Sequence, residues 1–243
     1  MNTTAINLNT HKQVLMNILK FVYSSSMTKT TLGFKGGTAA MLFYDLPRMS
    51  VDLDFDLLID ASKEKGSANT QEDQIFEYLK KELSVFGEVK QSFKKRFTLF
   101  YLINYKTGFW NIKVEISRRE SISSYETKNY LGVPVLVMKK EDMVANKCLA
   151  LVTRNKPAAR DFFDVWFFLK EHWGINFNII AQKTNQTPKE FFTRAISLVE
   201  DQKSSFFLNG LGELVDTSQK QWIKNSLKDE LIFQLKLVRE VTV

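Results

Sequence analysis

Only one cysteine, Cys148, occurs in 243 residues, which excludes an intramolecular disulfide framework. The two histidines, His11 and His172, stand far apart with no cysteine partner, so a zinc site is not expected. No apolar run approaches the ~18 residues that a membrane-spanning helix needs. The polar opening MNTTAINLNTHKQ has neither the basic head nor the apolar block of a secretion signal. These absences make a cytoplasmic protein with no membrane partner the expectation. Internal repeats and low-complexity segments are missing too, while 44% hydrophobic residues are ample for a packed core in one large domain or two modest ones.

What the chain has in excess is positive charge, unevenly placed. The formal net charge is +7, yet between Lys80 and Arg160 there are 17 Lys and Arg against 7 Asp and Glu, an excess of +10, so everything outside that window sums to −3. A basic middle next to an acidic strand suits a protein that holds a polyanion while gripping magnesium. A surface that is merely soluble is the alternative.

The acidic strand lies in the stretch FKGGTAAMLFYDLPRMSVDLDFDLLI, Phe34 to Ile59. Lys35-Gly36-Gly37-Thr38 follows a short apolar run and leads into Ala39 to Tyr44, a helix entered from a glycine turn. Such a turn points backbone N–H groups and the positive end of a helix dipole at a phosphate. From Ser50 to Ile59, Val51, Leu53, Phe55, Leu57 and Ile59 alternate with Asp52, Asp54 and Asp56, so three carboxylates share one strand face. Like charges about 7 Å apart repel, and a cation must offset the repulsion. Magnesium, a hard ion that brings a nucleotide's phosphates with it, is the natural choice. A phosphate cradle at Gly36, Gly37 and Thr38, a loop carrying Arg48 and Ser50, and an Asp-x-Asp strand together describe a two-metal nucleotidyl transfer site. A solvated acidic edge beside an ordinary turn is the bland alternative.

Taken in order, residues 11 to 24 read as an amphipathic helix. The polar run Ala61 to Ser67 reads as a mobile surface loop, and residues 70 to 86 as a second helix stopped at Gly87. Strands are expected at Thr98 to Tyr105 and Trp110 to Ser117, joined by a hairpin turn at Lys106-Thr107-Gly108. In the second strand Ile112, Val114 and Ile116 share one face and Lys113 and Glu115 the other. Glu115 is the candidate third carboxylate, near the attacking hydroxyl to bind the second metal or take a proton, and a surface Lys113–Glu115 pair is its rival. After a connection through Arg118, Arg119 and Ser124, Val133 to Met138 is a buried extended run. Helices follow at Lys140 to Thr153, Ala158 to Trp173, Thr187 to Asp201 behind a capping box, and about Ser218 to Val238. The boundary falls near residue 138: an α+β catalytic domain over 1–138, with a mixed sheet and flanking helices, then a C-terminal helical bundle over 139–243 that completes the nucleotide and acceptor site.

GFKGGTAAMLFYDLPRMSVDLDFDL resembles the first motif of the AbiEii/AbiGii toxin family of nucleotidyltransferases, a branch of the superfamily sharing the DNA polymerase beta type fold. Gly37-Thr38 stands where the superfamily has Gly-Ser, and Asp52-Leu53-Asp54 where it has the metal-binding Asp-x-Asp. LVMKKEDMVANKCLALVTRNKPAARDFFDVWFFL resembles the family's later motif, with Lys147, Arg154, Arg160, Asp161 and Asp164 on the pattern. Lys147 and Arg154 would grip a triphosphate, and Asp161 could orient Lys147. A salt-bridge layer between two packed helices, with Asp164 pairing Arg160, is the structural rival. The resemblance covers roughly residues 30 to 170. It implies transfer of a nucleotide from an NTP, assisted by two Mg2+ ions, by the toxin of a bacterial toxin–antitoxin or phage-defence pair. The acceptor it suggests is RNA, tRNA first, and the partner a cognate antitoxin. A small-molecule nucleotidyltransferase and a non-catalytic nucleotide-binding module stay open beside it.

Overall fold

The computed structural model describes residues 8–59 and 70–241, so the loop expected at Ala61 to Ser67 lies outside the described residues. The chain divides into two compact units, residues 1–45 with 49–138, and residues 46–48 with 139–243. The expected α+β class stands, with a mixed sheet, flanking helices and a run of C-terminal helices.

The first unit is built on a seven-stranded sheet. Its strands are β1 (Leu32–Lys35), β2 (Asp52–Leu57), β3 (Glu88–Lys95), β4 (Thr98–Asn104), β5 (Ile112–Ser117), β6 (Tyr125–Tyr130) and β7 (Val133–Met138), in spatial order β3-β4-β5-β2-β1-β7-β6. The β1–β7 and β2–β5 pairs are parallel and the rest antiparallel. One face carries Leu53, Phe55, Leu99, Tyr101, Ile103, Ile112, Val114 and Ile116, all fully buried. Helix α1 (Leu8–Ser24) packs on β7 and β2, and α3 (Gln71–Glu82) on β3, with the Tyr101 hydroxyl donating to the Phe76 carbonyl at 3.1 Å. The opposite face is half-buried and holds the aspartates. Between β1 and β2 lies the short helix α2 (Gly36–Phe43).

Two strands, β3 and β6, escape the period-2 reading. Both are sheet edges, and their sequences EVKQSFKK and YETKNY carry polar residues on both faces, without apolar alternation. Edge strands hold their place by backbone pairing, and charged side chains on them block further pairing, so no apolar alternation betrays them.

The second unit is helical: α4 (Lys140–Thr153), α5 (Ala159–Lys170), α6 (Phe177–Thr184), α7 (Pro188–Glu200), α8 (Thr217–Asn225) and α9 (Leu227–Val241). The expected capping box is present, Thr187 accepting from the Glu190 amide while Glu190 accepts from that of Thr187. The single last helix expected from about 218 to 238 is two helices, broken at Ser226 (φ −130°, ψ −28°). The break seats Glu230 in the first turn of α9, where it accepts from the indole N–H of both Trp166 (2.9 Å) and Trp222 (3.0 Å). Helix α6 carries only Ile179 and Ile180 as buried residues, too few to announce it by periodicity.

His11 is fully buried. Its Nε2 donates to the Val51 carbonyl at 3.0 Å, so Nδ1 accepts from the Tyr105 hydroxyl at 3.0 Å. Burial lowers its pKa, with the Val51 hydrogen bond and the charge of Asp52 pulling the other way. A base whose pKa is depressed on folding binds its proton more tightly in the unfolded chain. Its contribution to stability is therefore full above the unfolded value of ~6.5 and is lost as pH falls through and below it. The melting temperature should fall between about pH 7 and pH 5, above the carboxylate range, and fall less steeply in His11→Gln. Parallel pH profiles would show that another group titrates there.

Candidate active site

The register of the sheet brings the sequence-predicted carboxylates together. Across the parallel β2–β5 pair, Asp52 stands opposite Lys113 and Asp54 opposite Glu115, while on the other side β1 sets Lys35 opposite Asp54. All are on the half-buried face, because Leu53 and Phe55 between them point into the core.

Glycine opens the way to this face. Gly36 makes the turn from β1 into α2 with φ +80°, and a Cβ there would lie 2.7 Å from Asp54 Oδ2 and 3.1 Å from Asp54 Cβ. The residue is glycine for both reasons, a left-handed backbone and close contact with a carboxylate. Gly37 is buried in the first turn of α2. Thr38 is fully buried; its hydroxyl donates to the Asp52 carbonyl and lies 2.9 Å from the Ser50 hydroxyl. Thr38 and Ser50 thereby tie the start of α2 to the start of β2 and hold turn and carboxylates in fixed relation.

Lysines offset much of the carboxylate repulsion. Lys35 Nζ is 2.5 Å from Asp56 Oδ1, and Asp56 Oδ2 accepts from the hydroxyls of Tyr125 (2.5 Å) and Ser121 (3.1 Å). The Tyr125 ring reaches Asp56 across Gly33, where a Cβ would sit 2.3 Å from it. Asp56 is thus a satisfied, buried structural residue. Lys113 Nζ lies 3.2 Å from Asp52 Oδ2 and 3.7 Å from Glu115 Oε2. Burial disfavours its charge, but Asp52, Asp54 and Glu115 together outweigh burial and raise its pKa. Glu115 Oε1 also accepts from Thr98 Oγ1 at 3.2 Å.

Like-charge repulsion on β2 therefore does not by itself require a metal. Among the described residues, no group of three or more His, Cys, Asp or Glu side chains is gathered to hold one. The expected ligand set of Asp52, Asp54 and Glu115 lies on one face, with the Lys113 ammonium beside Asp52 and Glu115. The donor chemistry of Asp52 and Asp54, hard carboxylate oxygens two residues apart, fits magnesium.

In the second unit α4 and α5 meet through a charge cluster. Arg48 is 5% exposed, and its fork closes on Asp164, Nε to Oδ1 at 2.6 Å and Nη2 to Oδ2 at 2.7 Å. Lys147 Nζ lies 2.9 Å from Asp161 Oδ1 and 2.8 Å from Asp164 Oδ2, and Arg154 Nη1 is 2.9 Å from Asp161 Oδ2. Burial works against the Asp164 charge, but Arg48 and Lys147 outweigh it and lower the pKa; the same balance with Asp164 and Asp161 raises that of Lys147. The Arg48 guanidinium is engaged bidentately by Asp164, which also takes Lys147 as a partner. Asp164 sits 116 residues from Arg48 in sequence, beyond any local spacing rule. Asp161 is ion-paired with Lys147, and Arg154, with 43% of its side chain exposed, is the cation of the cluster that faces solvent.

Lys35, Asp56 and Tyr125 form a unit that no local pattern announces, and Lys113 is a further cation of the site. Lys113 alternates in phase with Glu115, which is a usable signal; Tyr125 lies on the unrecognised edge strand β6.

Residues 23–223 match the family model described as "Nucleotidyl transferase AbiEii toxin, Type IV TA system". A candidate nucleotidyltransferase from H. pylori of known structure is 20% identical, with a TM-score of 0.57, covering 99% of this chain and 96% of that one. JHP933 from Helicobacter pylori is 19% identical at the same TM-score, covering 96% and 92%. At these identities the structural likeness carries the fold. No curated protein matches the chain.

Removing one carboxylate from the buried cluster should be costly, since it leaves cations without their partner. Asp164→Asn is expected to destabilise the protein by roughly 3–5 kcal/mol in a denaturant titration. A loss under about 1 kcal/mol would mean that water or another group already screens Arg48 and Lys147.

Proposed function

The chain belongs to the AbiEii nucleotidyl transferase toxin family of toxin–antitoxin systems, and we propose that its reaction is magnesium-dependent transfer of a nucleotide from an NTP to an RNA acceptor, the 3′ end of tRNA first among them. The observation that carries this reading is the cross-strand row of Lys35, Asp54 and Glu115, with Asp52 two residues away on the same face and Gly36 packed against Asp54. In the proposed step the acceptor hydroxyl attacks the α-phosphorus, the bond to the β-phosphate oxygen breaks, and pyrophosphate leaves. Glu115 is the group we assign to take the hydroxyl proton. Asp52 and Asp54 would hold magnesium, two ions in this reading, which when bound neutralises phosphate charge as it develops. The turn at Gly36, Gly37 and Thr38 offers backbone N–H groups to the triphosphate. Of the second unit's cations we assign Arg154 to phosphate and Lys147 to a role positioned by Asp161, while Arg48 serves the fold. The cognate antitoxin is the proposed protein partner.

No helix among the described residues is long and apolar enough to cross a membrane.

Asp52→Asn and Asp54→Asn should each lower transfer of radiolabel from NTP to total RNA by at least about a thousandfold with the melting temperature held, because each removes a ligand charge without opening a cavity. Gly36→Ala should also lower transfer by pushing the Asp54 carboxylate aside, with a drop in melting temperature beside it because alanine is strained at φ +80°. Full transfer in the Asp variants would end the two-metal reading.

The acceptor is tested by salt. Several cations of the basic middle are already held in ion pairs: Lys94 by Glu72 and Asp73, Arg118 by Glu72, Lys113 by Asp52. Lys95, Arg96 and Arg119 are among those that remain, and three phosphate contacts on a single strand predict that RNA affinity falls about twentyfold between roughly 50 and 200 mM salt. Salt-indifferent binding, or label appearing only in small molecules, would replace RNA with a small-molecule acceptor.

A further inference from the structure

The aspartate face of the sheet continues beyond β5. In the row through Asp54 the register runs to Glu115, then to Phe100 on β4, then to Phe93 on β3. The residues between them, Leu53, Val114, Leu99 and Tyr101, are buried in the core, so these four side chains share the outer face. Phe93 and Phe100 stack, ring centroids 4.5 Å apart and planes 8° from parallel, and both are only half-buried. At a strand spacing of about 4.8 Å, the Phe100 backbone stands ~10 Å from that of Asp54 and the Phe93 backbone ~14 Å.

Cations surround this pair. Lys95 Nζ lies 4.5 Å from the Phe93 centroid. Phe97, at the tip of the β3–β4 hairpin, is 44% exposed with the guanidinium carbons of Arg96 and Arg119 each 4.9 Å from its ring. Among the described residues Lys95, Arg96 and Arg119 have no carboxylate partner, whereas their neighbours Lys94 and Arg118 are held by Glu72 and Asp73. Defence of a sheet edge accounts for the lysines of β3. It does not account for three phenylalanines left accessible among unpaired cations. Aromatic faces interleaved with free cations are the recognition chemistry of a single nucleic acid strand, whose bases stack and whose phosphates are neutralised.

We propose that the Phe93–Phe100 pair seats the unpaired 3′-terminal nucleotides of the acceptor, with Lys95, Arg96 and Arg119 on the backbone phosphates and the terminal hydroxyl directed along the row to Glu115 and Asp54. The inference rests on the reading of RNA as acceptor. It adds a specificity: an acceptor must present a single-stranded end, because a duplex end keeps its bases stacked on each other and offers no free face.

The test uses fluorescence anisotropy with an RNA hairpin carrying a four-nucleotide unpaired 3′ overhang and the same hairpin ended blunt, with NTP binding followed by calorimetry. Wild-type protein should prefer the overhang by about tenfold, and Phe93→Leu/Phe100→Leu should lose that preference, as expected for the removal of base–aromatic stacking, while NTP affinity holds. Arg96→Gln/Arg119→Gln, exposed changes that leave the core intact, should weaken binding of both RNAs and flatten its salt dependence. An overhang preference that survives in the phenylalanine variant, unchanged RNA affinity in the arginine variant, or loss of NTP affinity with RNA affinity intact would each overturn the assignment while leaving RNA as acceptor. Wild-type protein that binds neither RNA would remove the RNA reading itself.

Discussion

Everything on the outer face of the sheet follows from crowding like charges onto one strand. Asp52, Asp54 and Asp56 repeat at about 7 Å, and at an effective dielectric near 20 each neighbouring pair costs about 2 kcal/mol. Glu115 opposite Asp54 adds to the cost. The fold answers at both ends of the run. Lys35, Tyr125 and Ser121 satisfy Asp56, and Lys113 sits against Asp52 and Glu115. Asp54, between them, is packed under the Gly36 turn. A face arranged this way remains compatible with a stable sheet because ammonium groups already stand beside its carboxylates.

The glycines are consequences of the same constraint. Gly33 is small so that the Tyr125 ring can cross β1 to Asp56, and Gly36 is small so that the turn into α2 can close over Asp54. Even the polar edge strand β6 is drawn in, since it supplies that tyrosine. The helical unit solves a second charge problem with different means. Asp161 and Asp164 are completely buried, and Arg48, Lys147 and Arg154 surround them. Buried ion pairs of this kind add little net stability over apolar packing, but breaking one is expensive. Arg154 carries the excess positive charge of the cluster to the surface.

Much of this protein could be read from its sequence, because the informative signals were local. Strict alternation from Val51 to Leu57 fixed the strand, its core face and its carboxylate face. The glycine turn before Ala39, the paired Ile112, Val114 and Ile116, and the Thr187–Glu190 capping box are likewise patterns of neighbours, set by the strand period of two, the helix period of 3.6 and the geometry of caps. Family membership rests on a match over residues 23–223, which spans the same contiguous motifs. What only the tertiary structure decided are the partners that lie far apart in the chain: Lys113 against Asp52, Tyr125 on Asp56, Arg48 on Asp164, and the row that carries Phe93 and Phe100 to Glu115. Strand order and register create these pairs, and no local period encodes them. The edge strands β3 and β6 stayed hidden for a related reason: they are held by backbone hydrogen bonds to a single neighbour, which any polar side chain tolerates, so their existence depends on the sheet beside them and leaves no apolar pattern of its own.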